Sequence, residues 1–485
     1  MENTITDRFR PKIHFAPKTG WLNDPNGLVY YKSEYHLFYQ HIPDRIDHNG
    51  ILHWGHAKSK DLLYWEHLPI ALYPDQNGDI WSGCIVVDKM NSCKLQSGKE
   101  NVFVAIFTQN NKGLQEQSLA FSNDGGMSWT LFADNPIVAN PGIKDFRDPK
   151  VFWHKKSERW IMILAAGHLV RIYNSQNLLN WNFLSEFGEG EGCQKGIWEC
   201  PDLFKLNVYG QESLEKWVML ASVLDGSPMN GPGVQYFIGE FDGHSFVNDN
   251  HPEINLWLDQ GSDCYAATTF SNLPDRDQRQ ICIAWMNNWK YANDLPTENW
   301  RGMMTIPREF SLKYKADKIN LFSIPAYKRK KIINKKTEIE KQKISSSNIL
   351  CLLKHKIITP FELKINLKNN MATEFGIIFK NALSECVIVK YNYNESNLLI
   401  DRSKSGLTDF NLDFAKKENS APLVVSNKEL SLNIIVDVSS IEVFAENGQI
   451  VLTNLIFPTK PYDNIYAYTL DGEIKIIQCS IWEFS

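Results

Sequence analysis

Three short segments repeat one pattern along this chain: Ser59-Lys-Asp-Leu-Leu-Tyr-Trp65, Ser122-Asn-Asp-Gly-Gly-Met-Ser-Trp129 and Ser175-Gln-Asn-Leu-Leu-Asn-Trp181. Their tryptophans stand 64 and 52 residues apart, the length of a four-stranded propeller blade. Between and beyond them run strand-sized apolar stretches such as Asn101-Val-Phe-Val-Ala-Ile-Phe107, Trp217-Val-Met-Leu-Ala-Ser-Val223 and Gln280-Ile-Cys-Ile-Ala-Trp-Met286. Long helical periodicity is rare. A strand-built unit of this length cannot bury both faces alone, so copies must stack. The chain is expected to be all-β.

The composition shifts after Ile324-Pro325. Lys328-Arg-Lys-Lys331, Lys335-Lys336 and Lys343 precede Ser345-Ser346-Ser347, which reads as a solvated linker rather than a binding patch. Beyond it, Leu430-Ser-Leu-Asn-Ile-Ile-Val-Asp437 and Ser440-Ile-Glu-Val-Phe-Ala445, with a turn at Asn447-Gly448, describe a β-sandwich. The expected organisation is a catalytic propeller domain over residues 1–325, a linker over 326–345 and a sandwich over 346–485. The sandwich could serve as a homodimer surface or brace the propeller.

The whole chain of 485 residues carries a net charge of −5, so no basic face points to nucleic acid or an anionic membrane. No apolar run approaches the roughly 18 residues of a membrane span. Nine cysteines, an odd number without short metal-ligand spacing, suggest neither a disulfide framework nor a zinc site. The N-terminus Met-Glu-Asn-Thr-Ile-Thr-Asp-Arg lacks the pattern of a signal peptide. A cytoplasmic home is expected, or secretion if a leader has been removed.

Trp21-Leu22-Asn23-Asp24-Pro25-Asn26-Gly27 places a carboxylate beside proline, between two amides, on what reads as a tight turn at a strand end. Leu28–Tyr31 and Tyr35–Gln40 read as a hairpin joined around Lys32, Ser33 and Glu34. Asp148 lies in Asp145-Phe-Arg-Asp-Pro149, where the proline favours extended backbone at the acid and Arg147 supplies a guanidinium for a hydroxyl or a carboxylate. Glu199 lies in Gly196-Ile-Trp-Glu-Cys-Pro-Asp202, between an indole and a thiol, whose apolar walls would favour the protonated acid. Three acids in Pro-containing segments on different blades suggest convergence on one axis. Glycoside hydrolysis needs a nucleophile and an acid/base flanking an oxocarbenium-like centre.

These motifs together resemble glycoside hydrolase family 32, the β-fructofuranosidases. Resemblance runs from Pro11-Lys-Ile-His-Phe15 to Asn454-Leu-Ile-Phe-Pro458 and includes His53-Trp-Gly-His56 and Trp81-Ser-Gly83. Asn288-Trp-Lys-Tyr-Ala-Asn293, Leu295-Pro-Thr297, Trp300-Arg-Gly302 and Thr305-Ile-Pro-Arg308 look most like exo-acting levanases and inulinases. The resemblance implies a five-bladed β-propeller with a C-terminal β-sandwich and a retaining double displacement without metal or cofactor. It implies Asp24 as nucleophile, Glu199 as acid/base and Asp148 as transition-state stabiliser. Asn23, Gln40, Ser82 and Arg147 look like fructose-binding residues, Trp54 and Trp285 like aromatic walls, and Asp263 like a further pocket residue.

One segment departs from the pattern. Between Gln40 and Trp54 the family usually has a Trp-Gly pair whose Trp lines the fructose pocket. Here Asp44-Arg-Ile-Asp-His-Asn-Gly50 is one residue longer, with Asn49 about where the Trp belongs. A polar or mobile loop is expected there, with consequences for which sugar is held. Cys84 after Trp81-Ser-Gly83, where Ser is commoner, is expected to be packing only. The leading expectation is release of terminal β-D-fructofuranosyl residues from sucrose or short levan- or inulin-type fructans. Transfer of the fructosyl group to another sugar and sugar binding without turnover are the alternatives.

Overall fold

In the computed structural model, which describes residues 7–274, 277, 279–315, 317–329, 333–346, 349–354, 359–416 and 418–484, nearly all regular secondary structure is strand. Five inner strands form the propeller's axis: Gly20–Tyr31, Asp79–Asp88, Phe146–His154, Trp198–Val208 and Tyr265–Thr269. Each neighbours the next, and the first also meets the fifth, closing the ring. From each, antiparallel strands run outward; the fourth and fifth blades also share one parallel pairing at Val208 and Leu312. Radial repetition of this kind leaves only the outermost strand of each blade as an edge.

The threefold sequence repeat is a turn between the third and fourth strands of blades one to three. In each copy the first Ser hydroxyl bonds the carboxylate or amide two residues on: Ser59 to Asp61, Ser122 to Asp124, Ser175 to Asn177. That Asx oxygen then caps the following backbone N–H groups, for example Leu63, Met127 and Leu179. The Trp indole N–H closes the turn on a carbonyl three residues back, Leu62, Gly126 or Leu178. Those three residues all have positive φ. The Ser, Asx and Trp of the repeat therefore each have a hydrogen bond to make.

All five inner strands carry a register irregularity near their N-terminal ends: between Leu22 and Pro25, Ile80 and Gly83, Glu199 and Asp202, Tyr265 and Thr268, and opposite Lys150 and Arg147. Bulges re-aim side chains, and here they do so at one level of the axis. Asp24 thus lies inside a 12-residue strand, not on a tight turn. The hairpin after it forms as expected, with Lys32 and Ser33 at positive φ. The extended backbone expected at Asp148 is not found: its φ is +64°, and Cys200, also before a proline, has φ +45°. Both are non-glycine residues in the left-handed region, a strain held by the surrounding sheet.

The sandwich pairs a seven-stranded and a six-stranded sheet over one apolar core. The expected linker is in fact part of it. Ile333–Ile339 and Lys343–Ser345 pair with Glu473–Phe484, and Arg329 is bidentate on buried Glu362. The alternating charges of this stretch are those of a strand with one solvated face, which composition alone reads as a linker.

Buried ion pairs lock the sandwich to the propeller. Arg308 bonds Asp259 at 2.8 Å and Glu442 at 2.6 Å. His14 lies between Asp437 and Glu442 at 2.8 and 2.9 Å. Burial opposes its charge, but the two carboxylates outweigh burial and hold its pKa at about 9.

Candidate active site

The bulged ends of the inner strands bring Asp24, Ser82, Arg147, Asp148, Glu199 and Tyr265 together. Ser82 donates a 2.7 Å hydrogen bond to Asp24 Oδ2. The Cys200 backbone N–H donates to Asp148 Oδ2 at 2.9 Å, and its thiol lies 3.5 Å from Asp24 Oδ2 and 3.6 Å from Asp148 Oδ2. The left-handed Cys200 backbone thus sets one residue against two carboxylates. From below, the Asp148 N–H donates to Thr108, which donates to Gln117, which donates to the Phe146 carbonyl.

Glu199 is gripped from two sides. Arg147 places Nε and Nη2 on Oε1 at 3.1 and 3.0 Å, and the Tyr265 hydroxyl donates to Oε2 at 2.5 Å. Arg147 is itself oriented by Asp145 at 2.8 Å and Gln115 at 3.1 Å through Nη1. The apolar walls expected around Glu199 are not there. Its neighbour Trp198 turns into the core between blades, donating to the Cys193 carbonyl, while Cys200 faces the other two acids. Alternation turns Trp198 to the face opposite Glu199, and the bulge with left-handed backbone at Cys200 aims the thiol at the two aspartates instead.

Burial shifts both aspartates the same way. Burial raises the Asp24 pKa to about 6, helped by the Glu199 charge and opposed by bonds from Ser82, Asn23 and Cys200. Burial also raises Asp148; Arg147 opposes this, and the Glu199 and Asp24 charges add to it. A carboxylate attacks only when ionised, so kcat/KM is expected to fall as pH drops through about 6. A pH–rate profile with an acidic limb well below 5 would contradict this.

Residues 14–325 match the glycosyl hydrolases family 32 N-terminal domain, and residues 326–483 match its C-terminal domain. The chain belongs to glycoside hydrolase family 32. A levanase of Bacillus subtilis is 44% identical over 98% of this chain and 70% of its own length. An extracellular exo-inulinase of Aspergillus niger is 35% identical over 95% of this chain and 91% of its own length. Among solved structures, an exo-inulinase of Aspergillus awamori superposes with a TM-score of 0.91 at 33% identity, covering 99% of both chains. A fructofuranosidase of Schwanniomyces occidentalis complexed with fructosylnystose gives 0.91 at 31%, covering 99% of this chain and 98% of its own.

Within this family 32 site, the residues singled out from sequence take different places. Asn23 accepts the Trp21 indole N–H at 2.9 Å and bonds Asp24. Gln40 is buried, and both its amide atoms lack a protein partner among the described residues. Trp285 has no exposed surface; it packs between Trp21 and Trp289, and its indole N–H has no partner among the described residues. Trp54, expected as a wall, is instead a support: it is fully buried against Phe38 and Phe107 and donates to the Trp81 carbonyl at 3.0 Å. The bond holds the strand that presents Ser82.

Asp263 does not belong to the pocket. It precedes the fifth inner strand, and its carboxylate accepts from Arg402, Tyr291 and the Leu455 N–H at the sandwich interface. Two residues on, Tyr265 reaches Glu199. The motif Asp263-Cys-Tyr-Ala266 was thus informative, but its acid serves the domain interface and its phenol the site. Trp81 was legible only as part of a motif; it is partly exposed, with the Arg147 guanidinium 5.9 Å from its ring. Cys84 is buried and accepts the Val151 N–H at 3.2 Å. No cluster that could hold a metal ion occurs among the described residues.

Proposed function

We infer that this family 32 enzyme is a β-fructofuranosidase that releases terminal β-D-fructofuranosyl residues from sucrose and from levan- or inulin-type fructans. The observation that carries it is a set of buried polar atoms, on Asp24 and on amide and indole side chains, that lack a partner among the described residues. They are Asp24 Oδ1, Asn26 Nδ2, both amide atoms of Gln40, and the indole N–H groups of Trp81, Trp285 and Trp289. Buried polar groups are rarely left unpaired. Donors and acceptors mixed with flat rings suit a small sugar, dense in hydroxyls and with apolar C–H faces.

The assigned roles follow from what each group can do. Asp24, ionised, attacks the anomeric carbon C2 while protonated Glu199 gives its proton to the departing glycosidic oxygen. The product is a fructosyl ester on Asp24. Glu199, now a carboxylate, takes a proton from water, whose oxygen attacks C2 and frees Asp24. Asp148 accepts ring hydroxyls, and that grip strengthens as positive charge develops on the sugar. Arg147 and Tyr265 hold Glu199 in one orientation through both transfers.

Incubation with sucrose, inulin and levan oligosaccharides tests the activity. Fructose release from at least one is expected, and none from any would refute it. With sucrose at high concentration, equal glucose and fructose marks hydrolysis, whereas glucose in excess marks transfer. Tyr265→Phe is expected to lower kcat about tenfold with KM little changed, because a hydrogen bond orienting the acid/base is lost. A KM effect without a kcat effect would move Tyr265 from the acid/base to the sugar.

A further inference from the structure

The loop at 44–50, the part of the chain that departs from the family pattern, lies at the catalytic end of blade one. Strand Glu34–Ile42 ends opposite Trp21, so the chain enters the loop beside the segment that carries Asp24. The loop is polar, as expected, and tied at several points. Arg45 Nε and Nη2 bond the two Asp47 oxygens at 3.0 and 2.9 Å, and the Asn49 N–H caps Asp47 at 2.9 Å. Arg45 holds the Asp47 carboxyl down at about 2, so this pair stays charged over the working range. The His48 N–H donates to Asn293 Oδ1 at 3.0 Å, from the turn Ala292–Asp294 on the neighbouring fifth blade. Gly50 passes so close to Ile42 that a Cβ would stand 2.5 Å from its Cγ2.

These ties present one aromatic ring. The His48 imidazole lies 5.4 Å from the Trp21 ring and 5.0 Å from Trp289, inclined to both. Trp289 in turn touches Trp285 at 4.6 Å, and Trp21 bonds Asn23, the neighbour of Asp24. Asn49, at the position expected for the missing Trp, is exposed, and His48 is the loop residue in ring contact with this wall. Unlike an indole buried for packing, this ring is partly exposed. Its two nitrogens make no hydrogen bond to any described residue. A neutral imidazole carries one donor and one acceptor, both free here to meet a ligand.

We propose that His48 is a substrate-binding residue, whose imidazole extends the Trp21–Trp289 wall and hydrogen-bonds a hydroxyl of the fructoside at the pocket mouth. The proposal rests on the β-fructofuranosidase reading. It assigns the loop a direct part in selecting substrate, by exchanging part of an apolar wall for a hydrogen-bonding one. Such a contact is made in the ground and transition states alike, so it sets KM and leaves kcat.

Three variants test it, with sucrose and a short inulin-type oligosaccharide as substrates. His48→Phe keeps a flat ring against both tryptophans and removes the nitrogens. It is expected to raise KM about fivefold for at least one substrate, the worth of one hydrogen bond, with kcat within about twofold and the melting temperature unchanged. His48→Gln retains a side-chain N–H and is expected to recover much of that loss. His48→Trp restores an apolar wall and is expected to shift the ratio of kcat/KM between the two substrates. Unchanged KM for both substrates in His48→Phe would overturn the proposal. So would a KM rise of equal size in His48→Gln accompanied by a lower melting temperature, which would mark a packing role. If the unaltered enzyme releases no fructose from either sugar or from levan oligosaccharides, the β-fructofuranosidase reading fails, and it fails independently of these variants.

Discussion

Asp24→Asn is expected to abolish turnover, by a factor on the order of 10⁴ or more, as removal of a covalent nucleophile does elsewhere. The amide has nearly the shape of the carboxylate and still offers an oxygen to Ser82, so the sugar is expected to bind. Calorimetry with sucrose, beside a fructose-release assay, separates the two. The variant should also differ in stability, and the sign follows from the raised pKa. Burial lifts Asp24 from 3.8 to about 6, so the folded state holds the proton more tightly than the unfolded one. The unaltered protein therefore loses stability as pH rises from about 4 through 6, and carries the full cost above that window. Asn never ionises and escapes this cost. Its melting temperature is expected to exceed that of the unaltered protein at pH 8 and to match it at pH 4. Retained turnover would remove Asp24 as the nucleophile; the opposite pH trend would remove burial as the cause of its pKa.

Arg308→Met should have the largest effect on stability. The Arg308 side chain is 2% exposed and is shared between Asp259, 1% exposed, and Glu442, 0% exposed. Losing it leaves two carboxylates in an apolar interface with less charge compensation, which costs about 3–5 kcal/mol. Thr453 and Ile306 still bond these acids, as does His14, but none brings a full guanidinium. Urea unfolding followed by tryptophan fluorescence measures the loss. Adding Asp259→Asn should recover part of it, since one uncompensated charge is then gone. If Arg308→Met unfolds at the same urea concentration as the unaltered protein, the interface does not depend on this ion pair.

The sequence was most legible where local chemistry and tertiary role coincide. The Ser-x-Asx-…-Trp repeat marks the propeller because its Ser, Asx and Trp each make a bond within their own turn. The three acids stand out because each lies at or beside an X-Pro step, and each such step marks a bulge on an inner strand. Legibility failed where a side chain's partner lies far along the chain. Asp263 resembled a pocket acid until Arg402, 139 residues away, was found to hold it. Trp54 resembled a wall until its indole was found beneath Trp81. The stretch 326–345 resembled a linker because its strands pair with the chain's last strand, which no local pattern announces.

By itself the sequence determined the all-β class, the blade period, the three carboxylates and the family to which they belong. Those properties are written in turn chemistry and short motifs, which act over a few residues. Only the tertiary structure decided what surrounds each acid. Glu199 is held by Arg147 and Tyr265, not by its own neighbours, because alternation and the bulge at Cys200 turn those neighbours elsewhere. Asp24 and Asp148 are set around one thiol because bulges on separate blades turn them to a common level. Where a sugar meets the loop is likewise a tertiary matter: a backbone bond from His48 on blade one to Asn293 on the neighbouring fifth blade sets its ring against the aromatic wall.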